Sequence, residues 1–308
     1  MKDLNNFIDE FVKYKESEGR DITKTISRYL TYIKEAFEYL NINTLDDLNN
    51  IKYPTIKMNW VNKKIEEGLS NASMNLRITS IQAFMRFMVD MDYTNNEAFN
   101  KIKKLKAKAK KVEVSEDKIV KMLELVNEDY RKNPSFKTSR DRYMLYIMIF
   151  CGLRNGEVRS LKLDSIKLDG SFQVTGKYSK TREVSLPSKL IKIHQEYIGW
   201  RSTVKGNSDC LFVSNHGNQL DQNVCNRLVK KYSEIVGLEC WTAHSTRKAC
   251  VTTLIDSGIP VEAVANIVGH VDYRTTLKSY YQQDKKVVKE DINKKYWQDK
   301  TSYDIIMV

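Results

Sequence analysis

The chain has 308 residues, 41% of them hydrophobic and 29% charged, with 51 basic against 39 acidic side chains and a net charge of +12. That is the composition of a soluble globular protein long enough for two domains, each with its own core. It excludes a bilayer-spanning protein, since no apolar run approaches the roughly 20 residues a spanning helix needs, and the amphipathic, acid-bearing start is not a signal peptide. The basic excess fits an ordinary basic protein, but it favours a polyanionic partner, because neutralising phosphates releases condensed counterions.

Residues 1–100 read as helix. Leu4, Phe7, Ile8, Phe11 and Val12 recur at three- and four-residue steps and form one apolar stripe. A second helix is predicted from Thr23 to Leu40, with Ile26, Tyr29, Leu30, Ile33 and Phe37 inward, and a third from about Thr55 to Gly68. The fourth starts near Ser73, with Leu76, Ile78, Ile81, Phe84, Met85 and Met88 apolar and Arg77 and Arg86 among them. These two arginines suit either a solvated edge or a phosphate backbone. Then Lys101, Lys103, Lys104, Lys106, Lys108, Lys110 and Lys111 crowd one short segment. A like-charge block repels itself, so residues 101–114 are expected to form an extended basic linker facing phosphates.

Past the linker, Ser115 is a good N-cap for a helix from Glu116, and Asp141 to Phe150 is apolar nearly all round, as a buried helix is. From Phe172 to Leu186 the period switches to two: Phe172 and Val174, then Val184 and Leu186, flank a Gly-Lys-Tyr-Ser-Lys turn. From about Gln222 the pattern is helical again. The expected fold is mainly α: a helical domain over 1–100, the linker, and a mixed α/β domain over 115–308 with a small β-sheet. Cys151, Cys210, Cys225, Cys240 and Cys250 are scattered, with no CxxC pair and no complete metal-ligand set. They read as reduced thiols in a cytoplasm.

Five segments carry candidate chemistry. His244, Arg247, Val251 and Leu254 share one helix face, so the Arg247 guanidinium sits at the edge of a core and needs an anion, either a structural carboxylate or a phosphate. Arg154 follows Gly152 where the next helix begins, and Glu157 three residues on could orient it. A cation at that end opposes the helix dipole by roughly 0.3–1 kcal/mol, yet arginine and helix end together make an anion site. Lys177 lies at the hairpin tip, where it is either simply solvated or able to protonate a departing alkoxide. Gly269 caps a helix over Val261–Val268 and puts His270 on a loop. Tyr280, one of 17 tyrosines, is either a core residue or a nucleophile.

In this order and spacing, Cys151-Gly-Leu-Arg154-Asn-Gly-Glu157, Gly176-Lys177, His244-Ser-Thr-Arg247, Gly269-His270 and Tyr280 resemble the catalytic signature of the tyrosine recombinases. The resemblance spans about residues 115–285, and the helical region before it resembles the family's SAM-like core-binding domain. It implies that Arg154, Lys177, His244, Arg247 and His270 activate a DNA phosphate, with Glu157 supporting. It implies too that Tyr280 becomes joined to a 3′ phosphate, freeing a 5′ hydroxyl, without metal, ATP or other cofactor. Arg77, Arg86, Lys103, Lys104, Lys106 and Lys108 are the expected DNA contacts.

The implied partners are double-stranded DNA with an inverted-repeat core site, three further copies of the chain in a tetramer around a Holliday junction, and an accessory recombination protein. The implied location is cytoplasmic and nucleoid-associated. Two positions depart from the usual His-x-Leu-Arg-His: Thr246 replaces leucine and Lys248 replaces the last histidine. Tyr281 stays open as the alternative nucleophile. The pattern starts near residue 1, which points to a simple Cre- or Xer-sized recombinase without an arm-binding domain. The lysine-rich, then apolar, segment 284–308 is expected to couple neighbouring subunits. A type IB topoisomerase and a non-cleaving DNA-binding regulator are the rival functions.

Overall fold

The computed structural model describes residues 4–17, 23–107, 112–176 and 181–269. The chain divides into two compact units, 1–110 and 111–308. Lys108, Lys177, His270, Tyr280, Tyr281 and the segment 284–308 lie outside the described residues. The architecture is mainly helical with one small two-stranded sheet, as the sequence suggests. Among the described residues no helix is long and apolar enough to cross a membrane.

In the first unit, α1 (Leu4–Ser17) buries Leu4, Phe7, Ile8 and Phe11, with Val12 half-buried at the margin of the stripe. α2 (Thr23–Tyr39) buries Ile26, Ile33 and Phe37. The apolar spacing does not announce α3 (Leu45–Asn50). Its signal is a capping box, in which Thr44 Oγ1 accepts from the Asp47 N–H and Asp47 accepts from the Thr44 N–H. The helix expected from Thr55 starts two residues earlier, with Pro54 in its first turn, where a missing N–H is harmless. It runs as α4 (Tyr53–Ile56), a π turn over Lys57–Asn62 that buries Trp60 and Val61, and α5 (Lys63–Glu66).

α6 (Asn71–Asp90) is the spine of this unit and packs against α1, α2 and α5. Its buried face holds Met74, Ile78, Ile81, Phe84, Met85 and Met88. Leu76, expected to be inward, is 49% exposed. It lies two residues from both Met74 and Ile78, about 200° round the helix, on the far side.

The lysine-rich stretch lacks helix or strand over 102–107, yet it is held along α6. Asn75 donates to the Leu105 carbonyl and accepts from the Leu105 N–H, both at 2.8 Å. Asn71 donates to the Lys106 carbonyl at 2.9 Å, and Ile102 is buried. Ile102 and the partly buried Leu105 anchor the stretch on the core, while Lys103, Lys104 and Lys106 are exposed.

The second unit is built round α8 (Phe136–Phe150), against which α7 (Glu116–Lys132) packs. Every residue from Tyr143 to Ile149 is buried, and each such large apolar side chain is worth about 1.5–3 kcal/mol. α8 starts five residues before the expected Asp141, because Ser135 and Thr138 form a capping box and Arg140 is absorbed by Asp141 and the Val213 carbonyl.

The short α9 (Asn155–Ser160) precedes an antiparallel hairpin of β1 (Ser171–Thr175) and β2 (Thr181–Ser185). The register pairs Phe172 with Val184 and Val174 with Arg182. α10 (Ser188–Arg201), which the sequence reading leaves unassigned, buries Leu190, Ile193 and Tyr197 against α8. α11 (Val224–Ile235), α12 (Ala243–Asp256) and α13 (Val261–Val268) follow. α13 packs on α12 and β2, which brings three separated stretches of chain to one place.

Candidate active site

α12 opens with Thr242 accepting from the His244 N–H. That start sets His244 in the first turn and Arg247 one turn on, where Arg247 points inward and is only 2% exposed. Its Nη1 donates to the Gly152 carbonyl at 2.7 Å, its Nη2 donates to the Val268 carbonyl, and its Nε meets no acceptor. Burial, then the nearby Arg154 charge, pull its pKa down to about 10, which still leaves it charged at neutral pH. So backbone carbonyls hold Arg247, and among the described residues no carboxylate touches it. Gly152 permits this: its φ is +58°, and a Cβ there would lie 3.1 Å from Cys250 Sγ and 3.3 Å from Val268 Cγ1.

Arg154 is the N-cap of α9. Its backbone N–H donates to Glu157 Oε2 at 2.8 Å, its Nη1 to Glu157 Oε1 at 2.7 Å, and its Nη2 to the Gly269 carbonyl at 2.8 Å. Glu157 therefore orients Arg154, as the spacing suggests, and also offsets a cation set at a helix N-terminus. Arg154 and Arg247 bond consecutive carbonyls at the end of α13, immediately before His270 in the chain. Gly269 has φ +69°, the left-handed cap expected of it.

The sequence reading missed Arg182. Its Nη1 and Nη2 donate to both oxygens of Glu157, at 2.8 and 2.9 Å, and its Nε donates to the Ile267 carbonyl at 2.9 Å. A signal was present: Arg182, Val184 and Leu186 alternate, which puts an arginine on the inward face of the strand. The Glu157 side chain is 3% exposed. Burial would raise its pKa, but hydrogen bonds from Arg182, then from Arg154, outweigh that and hold it below the ordinary carboxylate value.

The balance of charge is the property that matters. Among the described residues, Arg154 and Arg182 share the carboxylate of Glu157, and Arg247 beside them has only backbone carbonyls. His244 has an exposed edge, and partial burial, then Arg247, Arg154 and Lys248, hold its pKa below the usual histidine value. Among the described residues this leaves a surplus of fixed positive charge with an imidazole beside it, an arrangement that suits an anion. The two departures from the usual motif have structural roles. Thr246 is fully buried with its hydroxyl donating to the Ala243 carbonyl at 2.8 Å, and Lys248 reaches the Val112 carbonyl at 3.3 Å.

In the first unit, Arg86 is exposed. Arg77 is engaged instead by Glu35, with Nε 3.0 and 2.9 Å from its two oxygens, and it lies 4.6 Å from the centre of the Tyr32 ring.

The sequence pattern of the phage integrase family matches residues 113–287, and that of the phage integrase N-terminal SAM-like domain matches residues 8–91. The chain belongs to the phage integrase family. It is a tyrosine recombinase of the Xer and integrase kind, a class of DNA strand-exchange enzymes. The tyrosine recombinase XerA of Pyrococcus horikoshii is 27% identical over 296 residues, covering 94% of this chain and 93% of that one.

Two solved recombinases share the fold. XerH in its post-cleavage complex with palindromic difH gives a TM-score of 0.70 at 21% identity, covering 86% of this chain and 78% of XerH. Lambda integrase as a dimer on a COC′ core site gives 0.72 at 16%, covering 92% of this chain and 97% of that one. Lambda integrase has also been solved as a tetramer on a Holliday junction, with a TM-score of 0.67 at 16% identity, covering 90% and 77%.

Proposed function

We propose that this tyrosine recombinase cleaves and rejoins DNA at a specific inverted-repeat site, with Tyr280 as nucleophile. The observation that carries the reading is the convergence of Arg154 and Arg247 on consecutive carbonyls at the exit of α13, with surplus positive charge and His244 alongside. A phosphodiester supplies the missing anion. The Tyr280 phenol, whose free pKa is near 10, gives up its proton as its oxygen attacks phosphorus. The two arginines and the imidazoles of His244 and His270 stabilise the charge that builds on the non-bridging oxygens. The bond to the 5′ oxygen breaks, and Lys177 protonates that oxygen as it leaves.

The product is a 3′-phosphotyrosine and a free 5′ hydroxyl. The energy of the broken bond is kept in the tyrosyl ester, so rejoining needs no ATP, and the cations do the work a metal would do. In this reading Arg86, Lys103, Lys104, Lys106 and Lys108 grip the DNA backbone, and Arg77 is left out because Glu35 already holds it. Four copies assemble round a Holliday junction, as the lambda integrase tetramer does, with an accessory protein and the tail 284–308 as partners in assembly.

The biological use proposed is integration or excision of a mobile element. Resolution of chromosome or plasmid dimers is a second reading, favoured by a match to an Xer-type relative over nearly the whole chain. The test is covalent trapping: the protein is mixed with nicked duplexes from the DNA flanking its own gene, denatured in detergent and run on a gel beside Tyr280→Phe and Tyr281→Phe. The expected adduct is lost only in Tyr280→Phe. Loss only in Tyr281→Phe moves the nucleophile by one residue, and tight, salt-sensitive binding without any adduct supports the non-cleaving regulator. Adducts on chromosomal or plasmid fragments in place of the flanking ones favour dimer resolution.

A further inference from the structure

The arginine that the sequence reading passed over links two elements of the site. Glu157 accepts four hydrogen bonds, two from Arg154 and two from Arg182. Arg182 adds a third bond of its own, from Nε to the Ile267 carbonyl in the last turn of α13. Its side chain is 10% exposed, so these bonds are made largely out of water, where a planar five-donor fork is strong and fixes direction. Packing also engages it: a Cβ on Gly269 would lie 2.8 Å from Arg182 Cδ, so the cap residue and the arginine stem leave no room between them.

We propose that Arg182 is a positioning residue for strand exchange. Its guanidinium locks the carboxylate that aims Arg154, and it ties strand β2 to the exit of α13. Resting on the catalytic assignments above, this deepens them by joining three parts. Arg154 hangs from α9 by Glu157. The connection bearing Lys177 runs directly into β2, one residue before Arg182. His270 directly follows Gly269, whose carbonyl Arg154 bonds and whose α-carbon packs on Arg182. One charged joint therefore fixes Arg154 together with β2 and the Gly269 end of α13, the two described ends near which Lys177 and His270 stand in the sequence. A charge-only role would ask for no particular shape, whereas here all three nitrogens of the guanidinium are used, on two different elements.

The experiment compares full-length Arg182→Met and Arg182→Lys with the unaltered chain. Adduct formation on the nicked flanking duplexes is timed at saturating protein, and binding of the same duplexes is titrated separately. Arg182→Met is expected to slow the adduct about 100-fold, the usual effect of displacing a catalytic group by about an ångström, while the apparent Kd moves less than about threefold. Arg182→Lys restores charge without the fork and should recover less than about tenfold of that loss.

Hydrogen exchange without DNA reads the joint directly. Peptides covering 181–185 and 261–269 should lose protection about tenfold in Arg182→Met, with the buried helix 136–150 unchanged. Full recovery by lysine, equal loss of binding and rate, or unchanged exchange at β2 and α13 would each overturn the proposal. If Arg182→Met does not fold, Gly269→Ala keeps the guanidinium but drives a Cβ into its stem, and should give the same selective slowing. Should the unaltered chain form no adduct, the functional reading falls, and the exchange measurement still decides whether the joint exists.

Discussion

Each unit of this recombinase holds an arginine on an inward-leaning helix face, and the two are treated in opposite ways. Arg77 on α6 lies over the Tyr32 ring and gives its Nε to both oxygens of Glu35. Arg247 on α12 is deeper, yet it meets two backbone carbonyls and leaves Nε without a partner. The first charge is neutralised locally and contributes to stability. The second is oriented with no carboxylate on it among the described residues, and burial, then Arg154, lower its pKa. In the function proposed above, that buried guanidinium takes its anion from the DNA.

The largest test of that contrast is Arg247→Met. It should lower the rate of adduct formation by about three orders of magnitude, as loss of an arginine that stabilises a transferring phosphoryl group does. Because the charge it removes has no carboxylate among the described residues, the melting temperature should change little, and a single-turnover assay beside calorimetry checks both. An unchanged rate with a collapsed melting temperature would make Arg247 another Arg77.

Arg77→Met should do the reverse. It costs about 1 kcal/mol of stability, a modest value because the ion pair is partly exposed, and it leaves the adduct rate unaltered. Urea denaturation of the full chain measures the first. A fall in the salt dependence of DNA binding would instead make Arg77 a phosphate contact.

Acid stability comes next. The Glu157 pKa is held below its ordinary 4.5 in the folded chain, so its contribution is present above that value and is lost as pH falls through the folded one. Glu157→Gln should therefore flatten the loss of stability below pH 4.5, followed by circular dichroism at fixed salt.

The smallest effect concerns His244, whose pKa lies below 6.5. Removing the Arg247 charge takes away a repulsion felt by the imidazolium, so in Arg247→Met the His244 pKa should rise. An NMR titration of the ring protons reads it, and a fall would contradict the placement of the two side chains.

Much of this was legible in the sequence because helices are periodic. The Leu4 to Phe11 stripe, the shared face of His244 and Arg247, and the Gly269 cap follow from three- and four-residue spacing and from one residue type that tolerates positive φ. Elements without that signal escaped. The helix at Leu45–Asn50 is announced only by the capping pair Thr44 and Asp47, and Ser188–Arg201 carries its apolar residues without a clean amphipathic rhythm. Arg182 escaped for another reason: inward charge on a strand reads as a flaw in alternation until its partner is seen.

Charge pairing is where local reading ends. The sequence by itself determined most of the inward helix faces, Leu76 excepted, where the left-handed cap falls, and that an arginine would stand at the head of α9 with a glutamate one turn away. Only the tertiary structure decided which guanidinium is neutralised. Glu35 meets Arg77 from 42 residues away, and Arg182 meets Glu157 from 25. The physical reason is that periodicity acts over a few residues of one chain segment, whereas a buried charge is settled by whatever group another segment carries to within about 3 Å.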